Sequence, residues 1–191
     1  LAIGAYTLAY LMSQGVPLPL AIVAASLFSA VIGGIVGIPA LRMTGIYLAV
    51  ATLAFAVIVE QILVHWESVT GGFRGMPVPK AEFLGMNLSD PTAFYFLCLV
   101  LLVGSMSLVM NVLRSPSGRA MTAVRDSETS AESMGIHLAR TKTLAFALSA
   151  AFTGLAGALF AHRLNYLAPD AFTIITSIQL LLMVVVGGLG S

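Results

Sequence analysis

The chain alternates between long apolar stretches and short breaks rich in proline, glycine and charge. The stretches run approximately over residues 1–12, 19–41, 45–66, 92–113, 143–164 and 172–189. Roughly 20 apolar residues are needed for a helix to cross a bilayer, and every stretch except the first approaches that length. The pattern predicts an all-α, polytopic transmembrane helical bundle with about six spans, the first being the remaining half of a helix.

Composition points the same way. Of 191 residues, 59% are hydrophobic and 9% are charged, whereas soluble domains carry about 25% charged residues. We therefore predict one transmembrane domain over residues 1–191. Because the chain begins at Leu1 and ends at Ser191 beside apolar runs, we expect it to be a fragment truncated at both ends.

Charge between the spans assigns the two sides of the membrane. If successive spans cross the membrane in opposite directions, the loops between them lie alternately on its two sides. Six basic residues then lie on one side, Arg42, Arg114, Arg119, Arg125, Arg140 and Lys142, and three on the other, Arg74, Lys80 and Arg163. The positive-inside rule makes the first side cytoplasmic. We expect a bacterial-type cytoplasmic (inner) membrane protein with a cytoplasmic loop at 114–142 and an extracytoplasmic loop at 67–91.

Several classes of chemistry are disfavoured. The net charge is +1 and the basic residues are scattered, which predicts no nucleic-acid partner. The three histidines and the single cysteine, Cys98, lack the spacing of metal ligands, so we expect no metal and no cofactor. Without a P-loop pattern, the chain is not expected to bind or hydrolyse ATP itself.

The cytoplasmic loop has a helical pattern and holds eight of the seventeen charged residues. Asp126 or Ser127 can cap a helix, Glu128 suits its positive end, and Gly135 can end it in a left-handed conformation. The sequence predicts a short surface helix. Its small residues Ser130, Ala131 and Ser133 would let another protein approach closely.

Polar residues within the spans have two readings each. Glu60 would face the bundle interior or a water path, or it would reach the outer interface near Trp66. The four-residue spacing of Ser149, Thr153, Gly157 and Ala161 favours helix packing over a substrate path. The loop Thr70-Gly71-Gly72 predicts a compact lid or re-entrant segment, since glycine reaches conformations closed to other residues.

Four stretches occur in a characteristic order. They are 41–55 (LRMTGIYLA leading to TLAF), 66–72 (WESVTGG), 118–136 (GRA, VRD, AE and GI) and 180–191 (LLLMVVVGGLGS). In that order they resemble the permease subunits of branched-chain amino-acid ABC importers, the LivH/LivM family, and more closely the LivM side. The resemblance covers essentially the whole chain.

The resemblance implies a transport subunit rather than an enzyme. It implies ABC ATPase subunits, a second permease subunit in a hetero- or homodimer, a periplasmic or lipid-anchored substrate-binding protein and membrane lipid as partners. It further implies an ATPase-coupling helix, with Arg119, Ala120, Arg125, Asp126, Glu128, Ala131, Glu132 and Gly135 as candidate residues. Candidate pathway residues are Tyr47, Thr52, Glu60, Gly71 and Gly72.

The sequence departs from the family pattern in the coupling helix. In the family this helix carries a Glu-Ala-Ala…Gly pattern, with the glycine six residues after the glutamate. When Gly135 is taken as that glycine, Thr129-Ser130-Ala131 stands in place of Glu-Ala-Ala. The glutamate is therefore absent at its usual position, although Glu128 is adjacent. A second departure is that Val57 and Glu60 stand where a Glu and an Arg are usual. The first puts the detailed ATPase contacts in question, not the location of the helix.

Other functions stay open at this point. Permeases that resemble this chain also carry urea, short amides or other amino acids. An ion-coupled secondary transporter is a different class, but coupling sites commonly use buried ionisable residues, and few occur here. A membrane-embedded hydrolase would need a nucleophile and a base that face each other, and no convincing pair is evident.

Overall fold

The computed structural model describes residues 1–40, 46–79, 82–83, 86–87, 90–164 and 166–187. Within these residues the chain is predominantly helical. The helices are α1 (Ala2–Ser13), α2 (Leu18–Ala40), α3 (Ile46–His65), α4 (Glu67–Thr70), α5 (Pro91–Arg114), α6 (Pro116–Asp126), α7 (Glu128–Ser133), α8 (Leu138–Leu164) and α9 (Ile174–Gly187). The apolar stretches of the sequence thus form helices, as predicted.

Four two-residue strands accompany the helices. They are β1 (Met76–Pro77), β2 (Glu82–Phe83), β3 (Met86–Asn87) and β4 (Tyr166–Leu167). β1 pairs with β4 and β2 pairs with β3, both antiparallel. The β1–β4 pair joins the segment after α3 to the segment after α8, so these two connections lie at the same end of the molecule.

Helices α1, α2 and α8 form the core. Their buried side chains are mostly small, including Ala5, Ala9, Ala25, Ala158 and Ala161. Ser26 on α2 donates a hydrogen bond to the Ala151 carbonyl of α8, at 2.9 Å. Because small residues let helix backbones approach closely, this interface relies on van der Waals contact and a partly buried hydrogen bond.

Glycines mark the closest helix crossings. A Cβ placed on Gly4 would lie 2.2 Å from the Gly154 carbonyl oxygen, and one on Gly33 would lie 2.2 Å from the Ala150 Cβ. Gly37 faces Phe146. Gly33 and Gly37 therefore lie on the side of α2 that packs against α8.

The predicted packing stripe on α8 is partly wrong. Gly157 and Ala161 are buried as expected, but Ser149 and Thr153 are exposed. The packed side of α8 runs instead through Ala150, Gly154, Gly157, Ala158 and Ala161. A strict four-residue repeat drifts around a helix of 3.6 residues per turn, so its first and last members face different neighbours.

The remaining long helices keep their apolar surfaces exposed. Among its described residues, α5 buries none of its side chains, and large apolar side chains of α3 and α9 are likewise exposed. Four described helical stretches are long and apolar enough to cross a membrane: Leu18–Pro39 in α2, Pro91–Arg114 in α5, Leu138–Leu164 in α8, and Pro169–Gly187, which combines a 3-10 turn at Pro169–Phe172 with α9. The protein is an all-α, multi-pass membrane protein. Helix α1 (Ala2–Ser13) is shorter, and the count of six spans stays a prediction.

Candidate coupling and translocation sites

A sharp corner joins α5 to α6. Ser115 caps α6 by accepting a hydrogen bond from the Gly118 amide at 3.2 Å, and Pro116 occupies the first helical turn, where no amide donor is needed. A Cβ on Gly118 would lie 2.2 Å from the Val112 carbonyl oxygen. The corner therefore requires glycine at this position.

The predicted helix of the 114–142 loop is divided into two. Ser127 adopts an extended conformation between α6 and α7, and its hydroxyl accepts a hydrogen bond from the Ser130 amide at 3.3 Å. The prediction that a helix begins at Asp126 or Ser127 is therefore confirmed for Ser127. Asp126 instead ends α6.

Gly135 ends α7 as predicted. It has φ of +82°, its amide bonds to the Glu132 carbonyl at 2.9 Å, and the Ile136 amide bonds to the Ala131 carbonyl at 3.0 Å. These two bonds form a Schellman motif, which satisfies the last carbonyls of the helix. The backbone is thus fixed at both ends of a helix of only six residues.

An ion pair connects α7 to α8. The Lys142 Nζ lies 2.7 Å from the Glu128 Oε2. Glu128 stands in the first turn of α7, where a carboxylate also interacts favourably with the helix dipole. A cleft of about 470 Å³ lies beside the pair and is lined by Glu132 and His137 among others.

The eight candidate coupling residues differ in exposure. Arg119, Arg125, Asp126, Glu128, Glu132 and Gly135 are exposed, and Ala120 is half-buried. Ala131 is only 1% exposed, which corrects the expectation that it offers a surface to another protein. The exposed side of α7 instead presents Ser130, Ser133 and Glu132, and Met134 follows at 81% exposure.

A second cleft, of about 310 Å³, lies between the start of α1, α3, α8 and α9. Glu60 on α3 is half-buried and lines it. Hydroxyl groups from two other elements line the same cleft, Thr153 from α8 and Thr173, Thr176 and Ser177 from the start of α9. The structure therefore gathers polar groups from three apolar segments at one place.

The other pathway candidates lie elsewhere. Tyr47 and Thr52 are exposed on α3 and do not line the Glu60 cleft. Tyr47 is thirteen residues before Glu60, which is about 20 Å along a helix. Gly71 and Gly72 belong to the loop after α3. Of the five candidates, the cleft contains Glu60 alone.

Hydrogen bonds of Thr70 hold the loop after α3 against the end of that helix. Its buried hydroxyl donates to the Leu63 carbonyl at 2.6 Å and lies 2.8 Å from the Trp66 carbonyl. The Gly72 amide in turn donates to the Thr70 hydroxyl, at 3.2 Å. Gly71 and Gly72 have φ of +74° and +57°, so the Gly-Gly pair is needed for the turn itself.

The loop then joins the α8–α9 connection. The Tyr166 hydroxyl donates to the Arg74 carbonyl, and Leu167 is fully buried beside it. A Cβ on Gly75 would lie 2.1 Å from the Leu167 carbonyl oxygen. We call the two segments 67–78 and 166–172 the loop platform. Within the described residues, it forms a compact structure, as the glycine-rich sequence indicated.

No metal centre is found among the described residues. No group of three or more His, Cys, Asp or Glu side chains there could hold an ion.

Sequence reasoning missed part of the polar cleft. Thr153 was assigned to packing, and Thr173, Thr176 and Ser177 were not singled out. The signal was present, because positions 173, 176 and 177 are three and four residues apart and such residues share one face of a helix. The spacing does not reveal that this face meets Glu60, which lies more than a hundred residues earlier.

Comparison with known proteins gives one consistent result. A family model described as the permease component of the branched-chain amino acid transport system matches residues 1–191. The chain is 37% identical to the high-affinity branched-chain amino acid transport system permease protein LivM of Salmonella typhimurium (strain LT2), over 215 residues that include 100% of this chain and 51% of the relative. The LivM protein of Escherichia coli (strain K12) matches with the same identity and coverage.

A more distant relative is the probable branched-chain amino acid transport permease protein LivM of Methanocaldococcus jannaschii, 27% identical over 176 residues, 90% of this chain and 50% of the relative. The chain thus spans about half the length of the curated relatives it matches. No solved structure matches.

Proposed function

The chain belongs to the family of branched-chain amino acid transport system permease components, and from that premise we propose that the full-length protein is a permease subunit of an ATP-driven importer for branched-chain amino acids. The observation that carries the proposal is the match of this family over residues 1–191, together with 37% identity to two LivM permeases. The relatives are transport permeases, so a transport subunit is expected here and not an enzyme.

The proposed location is a bacterial-type cytoplasmic membrane. Its support is the excess of basic residues in the 114–142 loop over the 67–91 loop. In this orientation α6 and α7 face the cytoplasm, and the loop platform faces outward. Helices α1 and α3 would supply the remaining two of six spans, α1 as part of a longer helix.

The α6–α7 segment is the proposed contact with an ABC ATPase subunit. Three features support it: the Ser127 cap and the Gly135 Schellman motif fix the two ends of α7, and the Lys142–Glu128 ion pair ties α7 to α8. A helix held in this way can transmit a displacement to a transmembrane helix, whereas a mobile loop would absorb it. Glu132 and Met134 project on the exposed side.

Two further partners follow from the same proposal. A second permease subunit and membrane lipid would cover the exposed apolar surfaces of α5 and α9. A periplasmic or lipid-anchored substrate-binding protein would dock on the outer side, where the loop platform lies. The rigid turns at Thr70 and Gly75 support that assignment, because a preformed surface loses little entropy on binding.

The test is co-purification of the full-length permease with its ATPase subunits and measurement of ATPase activity. The variant is Glu132→Arg with Gly135→Trp, which reverses a charge and adds bulk on the exposed end of α7. We expect the ATPase subunit to be lost from the variant and retained by the wild type.

The matched control is Gln14→Arg with Gly15→Trp. Gly15 also follows a helix in a left-handed conformation, with φ of +83° and no neighbour within 4 Å, so the local strain is comparable. It lies on the proposed outer side, and the control should keep the ATPase. Loss in both variants would indicate misfolding. If no ATPase associates with the folded wild type, the importer proposal is wrong and an ion-coupled secondary transporter takes its place.

The other substrate classes remain alternatives within this proposal. A permease for urea, short amides or other amino acids would give the same ATPase result. Uptake of leucine, compared with urea, by vesicles that contain the complete transporter separates them. Leucine uptake is the expected outcome.

A further inference from the structure

A third cleft, of about 350 Å³, lies between α6 and the beginning of α8. Ala120 and Met121 line it from α6, and Arg140 and Leu144 line it from α8. We call it the interfacial cleft. All the residues that line it come from the continuous stretch 116–144, whose helix ends are fixed by the caps described above. The cleft is therefore a local structure in the middle of the chain.

One wall of the interfacial cleft is polar at one end and apolar at the other. His137, Arg140 and Leu144 follow one another at spacings of three and four residues, so they share one face of the helix. His137 and Arg140 are exposed and carry N–H donors. Leu144, one turn further along α8, is apolar and 44% exposed. The wall therefore suits a ligand with a polar end and an apolar end.

The polar end of the interfacial cleft is basic. No acidic side chain lines it. Within the described residues, ion pairs join Arg125 to Asp126 and Lys142 to Glu128, and Arg140 takes part in neither. The acidic side chains lie instead in the neighbouring cleft, beside the Lys142–Glu128 pair. The charge of the interfacial cleft is thus complementary to an anion.

The position of Arg140 along α8 places it at a membrane surface. The 27 residues of α8 extend for about 40 Å. A bilayer has a hydrocarbon core of about 30 Å, and of about 40–45 Å with its headgroup layers. Arg140, two residues after the start of α8, therefore lies in the headgroup layer, and Leu144 lies about 6 Å deeper. An arginine at this depth above an apolar wall fits a phospholipid, whose phosphate and acyl chains have the same order.

We propose that the interfacial cleft binds the headgroup of an anionic phospholipid from the cytoplasmic leaflet. The Arg140 guanidinium and a ring N–H of His137 donate to the phosphate oxygens, and an acyl chain lies against Met121 and Leu144. A zwitterionic lipid has the same phosphate, but its ammonium group adds a positive charge near Arg140. The choice of leaflet rests on the proposed orientation, whereas the preference for an anionic lipid is independent of the transported substrate and of the ATPase.

The direct test compares phosphatidylglycerol with phosphatidylcholine of the same acyl chains. Each lipid is titrated onto the purified full-length permease in detergent, and native mass spectrometry gives the dissociation constant of the first bound lipid. The variant is Arg140→Gln, which removes the charge and keeps an amide donor. The matched control is Arg125→Gln, which removes one charge from an exposed position of the same loop outside the cleft.

We expect the wild type to bind phosphatidylglycerol more tightly by on the order of tenfold, because basic side chains at the membrane surface attract anionic lipids. The preference should be largely lost in Arg140→Gln and kept in Arg125→Gln. Arg140→Lys, which retains the charge, should also keep it, and a loss in this variant would overturn the role of charge.

Three other results would overturn the inference. The first is equal binding of the two lipids by the wild type. The second is an equal loss of preference in Arg140→Gln and Arg125→Gln, because the total charge of the loop would then explain it. The third is displacement of phosphatidylglycerol by excess inorganic phosphate, because the acyl chain would then contribute nothing to binding.

A second measurement separates a lipid from a protein partner. The ATPase subunits should co-purify with Arg140→Gln as they do with the wild type, because the exposed side of α7 is unchanged. Loss of the ATPase from Arg140→Gln with the lipid preference intact would overturn the inference and assign the cleft to the protein contact. A lipid preference in a permease that binds no ATPase would overturn the proposed function alone.

Discussion

The Lys142 Nζ lies 2.7 Å from the Glu128 Oε2, which ties the first turn of α7 to the beginning of α8. The two residues are fourteen positions apart and the backbone turns at Gly135 between them. The ion pair closes this turn from the side. It is a direct side-chain link between α7 and α8.

Removing this ion pair should loosen α7 without unfolding the protein. Lys142→Ala leaves Glu128 half-exposed to water, so the cost in stability is about 1 kcal/mol or less. We expect faster hydrogen exchange at the amides of 130–133. Arg125→Ala is the control, because the Arg125–Asp126 pair is longer, at 3.8 Å, and more exposed. Unchanged exchange in Lys142→Ala would show that the backbone caps alone hold α7.

Gly135 should tolerate asparagine better than alanine. A Cβ at this position has no neighbour within 4 Å, so space is not limiting, but φ is +82°. Residues other than glycine lose about 1–2 kcal/mol in this conformation, and asparagine loses less than most. Thermal unfolding should rank the wild type first, then Gly135→Asn, then Gly135→Ala. Equal stability of all three would mean that the left-handed turn is not retained in solution.

The ends of α7 could be predicted from sequence because they depend on local chemistry. Ser127 and Gly135 act on amides and carbonyls within five residues of themselves, so their roles are visible in the sequence. The predicted boundaries of the apolar stretches also lie close to the observed ends of the helices, because length and hydropathy determine them. The division of the loop into α6 and α7 was missed, although the same Ser127 causes it.

The Glu60 cleft shows what local sequence could not provide. Glu60 was identified because a carboxylate within an apolar span is costly in free energy. Which side of α3 meets α8 and α9, however, depends on how three distant segments pack. Thr153 illustrates the same limit: its four-residue spacing suggested packing, and the real contact surface of α8 is shifted by one position to Gly154. Small residues predict that helices pack closely without fixing which neighbour each one meets.

Thr70 should be essential for the loop platform. Thr70→Val keeps the shape of the side chain but removes the hydrogen bonds to the Leu63 and Trp66 carbonyls and from the Gly72 amide. Because the site is buried, the unsatisfied groups should cost about 1–3 kcal/mol. Limited proteolysis in membranes should show faster cleavage near Arg74. Thr92→Val, at an exposed position of α5, is the control and should be cleaved at the wild-type rate.

Two glycines should respond oppositely to the same substitution. Gly154→Ala would place its Cβ 2.3 Å from the Ser29 Oγ and 3.1 Å from the Ala25 carbonyl oxygen, in the contact between α2 and α8. The helices would have to separate, and overpacking of this kind costs about 1–3 kcal/mol. Gly104→Ala meets no atom within 4 Å and should be neutral or stabilising by up to about 1 kcal/mol, because alanine favours the helix.

Thermal unfolding of the full-length protein in one detergent measures both effects. We expect Gly154→Ala to lower the melting temperature and Gly104→Ala to leave it unchanged or raise it. If Gly154→Ala is neutral, α2 and α8 do not pack as closely in the complete protein as they do here. If Gly104→Ala is destabilising instead, α5 meets a tightly packed neighbour at that point rather than lipid, and the second permease subunit becomes the first candidate for that neighbour.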